Sequence, residues 1–160
     1  MRETTIQKKH LYTVRVNGTP KGQPRPRAFV RGKRAAVYDP GTAEGWKSAI
    51  AVACAELEGE MIESPLSVAL TFFMPRPKSH FKKSGQLKDS APTYIFDKKP
   101  DADNLAKAVL DALTAIRVWK DDDQVVELLV RKYYESDHNG RQDTPPGCVI
   151  RVGELVEIDM

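Results

Sequence analysis

A chain of 160 residues with 41% hydrophobic and 29% charged side chains can bury one apolar core and is too apolar to stay wholly disordered. Its apolar runs fall far short of the roughly 20 residues a membrane-spanning helix needs, and Met1 to His10 is polar and charged, so a cytoplasmic protein with no membrane partner is expected. The net charge of +3 conceals an asymmetry of 18 Lys+Arg against 9 Asp+Glu in residues 1–100 and 7 against 13 in residues 101–160. That pattern suits a protein that holds a polyanion with one region and gathers carboxylates in another, although chance clustering on a solvated surface explains charge alone equally well.

Along the chain, Leu11 to Asn17 alternates as a strand and stops at Gly18. Thr19 to Arg27 follows, where Pro20, Pro24 and Pro26 favour an extended loop and Lys21, Arg25 and Arg27 supply charge. Ala28 to Arg31 and Ala35 to Tyr38 form a short hairpin about Gly32. Thr42 is placed to cap a helix running to about Leu57, because Trp46, Ile50, Ala53 and Leu57 recur at helical spacing before Gly59. Leu66 to Met74 is the strongest strand, with Leu66, Val68, Leu70 and Phe72 on one face and Thr71 and Phe73 on the other, ended by Pro75 and Pro77.

Arg76 to Lys99 is basic and aperiodic, with Lys78, His80, Lys82, Lys83 and Lys88 around Ser84-Gly85, and reads as a mobile loop. A second helix is expected from Ala102 to Arg117, then strands from Gln124 to Tyr134 and Gly147 to Val156 separated by a polar loop. The fold class is therefore α+β (or α/β): one domain over 1–160, a mixed sheet packed by two main helices in the order β-β-β-α-β-α-β-β. Cys54 and Cys148 lack the spacing of a zinc site or a disulfide framework and are expected to be small packing residues in a reducing compartment.

Chemical information concentrates between Lys99 and Gln124. On the second helix Leu105, Val109, Ala112, Leu113 and Ile116 share one face, while Asp103, Lys107 and Asp111 line another at i, i+4 and i+8. Ordinary capping fits one of Asp101 and Asp103 at the helix start, and Lys107 fits an i, i+4 ion pair with either Asp103 or Asp111. Capping accounts less well for the further triplet Asp121, Asp122 and Asp123 after Trp119. If helix and strand lie side by side, Asp101, Asp103 and one triplet member meet, and carboxylates held that close call for a hard cation such as Mg²⁺. Asp111, two turns beyond Asp103, is the control position, expected to matter far less.

The ordered set Lys99-Pro-Asp-Ala-Asp-Asn-Leu-Ala-Lys107, Asp111-Ala-Leu113 and Val118-Trp-Lys-Asp-Asp-Asp-Gln-Val125 resembles the RusA family of Holliday-junction resolvases. Gly18-Thr-Pro-Lys-Gly-Gln-Pro-Arg-Pro-Arg27, Tyr38-Asp-Pro40 and Pro75-Arg-Pro-Lys-Ser-His80 extend the likeness over most of the chain. The resemblance implies a homodimeric, Mg²⁺-dependent endonuclease that nicks opposed strands of a four-way DNA junction. It implies that Asp101, Asp103 and Asp122 bind metal and that Lys107 is the essential lysine, with Asp121 and Asp123 as alternatives to Asp122. Ala102 and Val118 depart from the family's usual residues without touching a ligand position.

Lys21, Arg25, Arg27, Lys78, Lys82 and Lys83, in two loops flanking the acidic centre, are the candidate phosphate contacts. Trp119 is expected to pack rather than stack on DNA, and His80 to be a solvated loop residue. Two other readings compete: a branched-DNA-binding module without catalysis, and a metal-dependent nuclease acting on other nucleic acids.

Overall fold

The computed structural model describes residues 3–23, 27–31, 34–38, 43–55, 57, 59–138 and 141–159. Its elements are β1 (Thr4–Asn17), β2 (Arg27–Arg31), β3 (Arg34–Tyr38), α1 (Glu44–Cys54), β4 (Leu66–Met74), α2 (Ala102–Ala115), β5 (Val125–Tyr134), β6 (Ser136–His138), β7 (Arg141–Thr144) and β8 (Gly147–Asp159). Short 3-10 turns occupy Lys78–His80 and Asp122–Gln124. The expected α+β order holds, with one addition: β6 and β7 pair as a hairpin within the stretch read as a polar loop.

Four strands form a mixed sheet in the order β1-β8-β4-β5. Alternation in β4 sets its two faces. Leu66, Val68, Leu70 and Phe72 are at most 1% exposed, whereas Thr71 and Phe73 are only half-buried on the opposite face. β8 lies antiparallel to β4 and brings Ile150 opposite Leu70 and Val152 opposite Val68. β5 runs parallel to β4, with Val130 beside Leu70, and a parallel neighbour needs a crossover rather than a tight turn. The segment carrying α2 makes that crossover, which is why the acidic motif lies on a helix packed over the sheet.

Both helices contribute to the same core. Trp46, Ile50 and Cys54 of α1 join Leu105, Val109, Ala112 and Leu113 of α2 against Val16, Leu70, Phe72, Ile150 and Val152 of the sheet. Each fully buried Leu or Val there contributes roughly 1.5–3 kcal/mol. Burial of one stripe of α2 leaves Asp103 and Lys107 exposed and Asp111 half-buried along the other.

Several boundaries differ from expectation. β1 begins at Thr4 rather than Leu11, because β8 continues to Asp159 and pairs with it residue by residue, from Thr4 opposite Asp159 onward. A polar stretch without alternation is strand here because it has a partner. Helix α1 runs from Glu44 and closes on Ala55, short of Leu57, and Thr42 lies outside the described residues.

The basic segment after β4 is tied down rather than loose. Arg76 donates from Nε to Glu135 O at 2.8 Å and from its guanidinium to Pro92 O at 2.8 Å, while Glu135 Oε1 accepts the Arg76 amide at 3.0 Å. His80 is buried, 3.2 Å from Arg76 through Nδ1 and edge-on to Tyr134 at 4.7 Å. It is therefore a structural residue and not the solvated histidine that its lysine-rich neighbourhood implied. Burial holds its pKa below the ordinary value, reinforced by Arg76, Lys98 and Lys88.

Candidate active site

Asp101 occupies the N-cap position of α2 in extended conformation, yet its carboxylate makes no capping bond. Instead Lys99 places its ammonium 3.0 Å from Asp101 Oδ2. Capping, the ordinary reason for an aspartate here, thus does not account for this side chain. Asp103 follows in the first turn, exposed. One turn later Lys107 sets its ammonium 3.1 Å from Asp111 Oδ1.

The aspartate triplet divides by role. Asp121 caps the 3-10 turn, accepting from the Asp123 amide at 3.1 Å. That amide, with Asp122, holds the Asp121 carboxyl below the usual range. Gln124 completes the frame: its Oε1 accepts from the Asp121 and Lys120 amides at 2.9 Å, and its Nε2 donates to Ile62 O and Ser64 O at 2.9 and 3.1 Å. Asp123 is exposed.

Asp122 is half-buried in a turn that packs against α2, near enough for the charges of Lys107 and Asp111 to act on it. Desolvation raises its pKa first, then the hydrogen bond and charge of Asp121 and the charge of Asp111, with Lys107 alone pulling it down. Trp119 supports this turn from below, fully buried, with Nε1 donating to Thr114 Oγ1 at 2.8 Å. Its enclosure leaves no face for a DNA base.

Among the described residues the structure thus gathers Lys107, Asp111, Asp121 and Asp122, with Asp101 and Asp103 on the same helix toward its N-terminus. No three His, Cys, Asp or Glu residues among those described stand close enough to hold a metal ion, so the expected meeting of Asp101, Asp103 and Asp122 is not formed as a closed cage. Asp101 lies against the Lys99 ammonium and Asp111 against that of Lys107, while Asp122 shares a hydrogen bond with the Asp121 side chain. Asp111 pairs with Lys107 and adds to the negative field at Asp122.

Gln23 was not anticipated. Its amide donates to Asn104 O at 2.8 Å, and Gly22 sits so near α2 that a Cβ would lie 3.1 Å from Asn104 Cβ. The loop bearing Lys21 therefore docks on the first turn of α2. Gln23 Oε1 is buried with no hydrogen-bond partner among the described residues, an acceptor left over in the loop that docks on the first turn of α2. Hard all-oxygen donors with such an acceptor beside them fit Mg²⁺ better than a softer ion. The sequence signal available was the glycine before Gln23, a residue type that permits close backbone approach.

Of the candidate DNA contacts, Lys21, Lys78, Lys82 and Lys83 are exposed, Arg27 begins β2, and Arg25 lies outside the described residues. Lys132 reaches over to donate to Pro100 O at 3.0 Å, fastening the helix entry to β5.

Residues 17–141, which include every residue of this site, match the family described as Endodeoxyribonuclease RusA. The chain belongs to the RusA family. It is also 34% identical over 125 residues to the protein described as "Uncharacterized protein YqaN" of Bacillus subtilis (strain 168), a match covering 76% of this chain and 87% of that protein. As a RusA-family protein it is of endodeoxyribonuclease type. No helix among the described residues is long and apolar enough to cross a membrane.

Proposed function

We propose that this RusA-family protein is a Mg²⁺-dependent, structure-selective endonuclease that resolves four-way DNA junctions by paired phosphodiester hydrolysis, in recombination and repair. The observation that carries the reading is the half-buried Asp122 within reach of the charges of Lys107 and Asp111 on the helix that begins with Asp101 and Asp103. A carboxylate partly withdrawn from water among other carboxylates is costly unless a cation or a proton joins it.

Asp101, Asp103 and Asp122 would hold the metal. When bound, Mg²⁺ supplies Lewis-acid polarisation of the phosphodiester and a more acidic water. Lys107, kept in place by Asp111, sets positive charge where negative charge gathers on the phosphoryl oxygens. Lys21, Lys82 and Lys83, with Arg25, Arg27 and Lys78, hold the phosphate backbone and carry little base information.

Two cuts on opposed strands suit a twofold homodimer, the commonest oligomer. β5 supports that reading, being a sheet edge with Val126, Leu128 and Leu129 exposed. Sedimentation showing an active monomer at micromolar concentration would refute it.

The deciding experiment compares labelled four-way junction, linear duplex and single strand, with and without Mg²⁺, for the wild type and for Asp101→Asn, Asp103→Asn and Asp122→Asn. Junction cleavage by the wild type should fall at least 100-fold in each variant, while binding persists or tightens because a charge repelling phosphate is gone. Near-normal cleavage by the three variants would sink the metal assignment. Junction binding without cleavage by the wild type would indicate a binding module, and preference for duplex or single strand a different nuclease.

A further inference from the structure

A cavity of about 340 Å³ opens beside the start of α2, at the lower end of the range for small-molecule clefts, roughly 300–1,000 Å³. Met74, Ile95 and Tyr134 make its floor, and Lys98 and Lys99 stand at its rim. The cavity adjoins the acidic centre, because Lys99 is also the residue that contacts Asp101 at 3.0 Å. Between two of its lining residues in sequence, Ile95 and Lys98, stands Phe96, which is 79% exposed and the most exposed large apolar side chain among those described. Tyr94, on the other side of Ile95, is 62% exposed.

Single exposed apolar side chains are ordinary on protein surfaces. Phe96 differs in where it is and how it is held. The Ile95 amide donates to Lys132 O at 3.3 Å and the Tyr134 amide to Thr93 O at 3.0 Å, so the segment is laid against β5. Arg76 fastens the preceding turn through Pro92 O. An exposed aromatic ring is thus carried on an anchored segment, one residue after Ile95 of the hollow and two before Lys98 at its rim.

We propose that this segment is a nucleobase-binding site, in which a base unstacked from DNA held at the acidic centre stacks on the exposed ring of Phe96. Lys98 and Lys99 take the flanking phosphates. An aromatic platform with a cationic rim is the chemistry that binds unpaired bases with little regard to sequence. Apolar side chains set at a distorted DNA step hold it unstacked in the same way. The proposal rests on the nuclease reading above and adds to it the way a branch point is recognised.

The test uses the full chain in EDTA with four-way junctions carrying a single 2-aminopurine walked across the branch. The wild type should change the fluorescence at one or two positions next to the branch. Phe96→Ala should abolish that change and weaken binding about five-fold or more, and Phe96→Trp should restore both. Because Phe96 is exposed, Phe96→Ala should keep the wild-type melting temperature, which separates a lost contact from a lost fold. An unchanged fluorescence response and affinity in Phe96→Ala would overturn the base site while leaving the nuclease reading intact. A Phe96-dependent response on single strands but none on junctions would keep the base site and overturn junction selectivity. No DNA-dependent signal from the wild type would likewise overturn the base site, with the nuclease reading still decided by cleavage in Mg²⁺.

Discussion

Asp111→Asn tests whether Asp111 acts through Lys107. The pair is separated by one helical turn, with side chains 57% and 30% exposed, so its direct contribution to stability is small, about 0.3–0.5 kcal/mol. For a chain of this size that is about 1–2 °C in melting temperature. The catalytic cost is larger, because the exposed lysine regains rotamer freedom worth up to about 2 kcal/mol once its acceptor no longer carries a charge. Recovering that order in the transition state slows cleavage about 10- to 30-fold, well short of the loss expected at Asp101, Asp103 or Asp122. Single-turnover junction cleavage for Asp111→Asn, Lys107→Met and the double variant gives the coupling. The double variant should be no slower than Lys107→Met alone. Wild-type cleavage by Asp111→Asn, or a further ten-fold loss when it is added to Lys107→Met, would refute this positioning role.

Other outcomes follow from the same contacts. Asp122 has its pKa raised in the folded state, first by burial, so its penalty is present above that pKa and relieved as pH falls through it. Asp122→Asn should therefore raise the melting temperature at neutral pH in EDTA, and Mg²⁺ should stabilise the wild type but not the variant. An unstabilised variant, or one that Mg²⁺ still stabilises, would contradict this. Trp119→Phe removes the bond to Thr114 Oγ1 and part of a fully buried ring, costing about 2 kcal/mol, or about 4–8 °C by calorimetry, with DNA affinity unchanged below the transition. Neutralising Arg25, Arg27, Lys82 and Lys83 together should flatten the salt dependence of junction binding by roughly 3–4 in log–log slope, and an unchanged slope would reassign those residues to solvation. Burial pushes the thiols of Cys54 and Cys148 up to about 11 and about 12, so neither should react with iodoacetamide at pH 8 until the protein unfolds.

Much of this architecture was legible in one dimension. The alternation of Leu66 to Met74 and the 3.6-residue stripe through Leu105, Val109 and Leu113 are local patterns, and burial follows them because each element has a single apolar face. The acidic motif was equally plain, and with it the family. Other features depend on distant partners. The polar stretch Thr4 to His10 became strand only because β8 lies alongside. The basic segment 76–99 was read as loose because its anchors, Glu135 and Lys132, come more than thirty residues later, beyond any local pattern.

At the site, spacing alone placed Asp103, Lys107 and Asp111 on one face of α2. Which of Asp121, Asp122 and Asp123 comes within reach of the charges of Lys107 and Asp111 depended on the 3-10 turn. Asp121 and Gln124 satisfy its amides and leave Asp122 under those charges. The same is true of Gln23, Lys99 and Phe96, whose surroundings are set by chain crossings rather than by their neighbours in sequence. Side-chain periodicity is a property of a segment and can be read from it, whereas a side chain's surroundings come from whatever the fold packs against it.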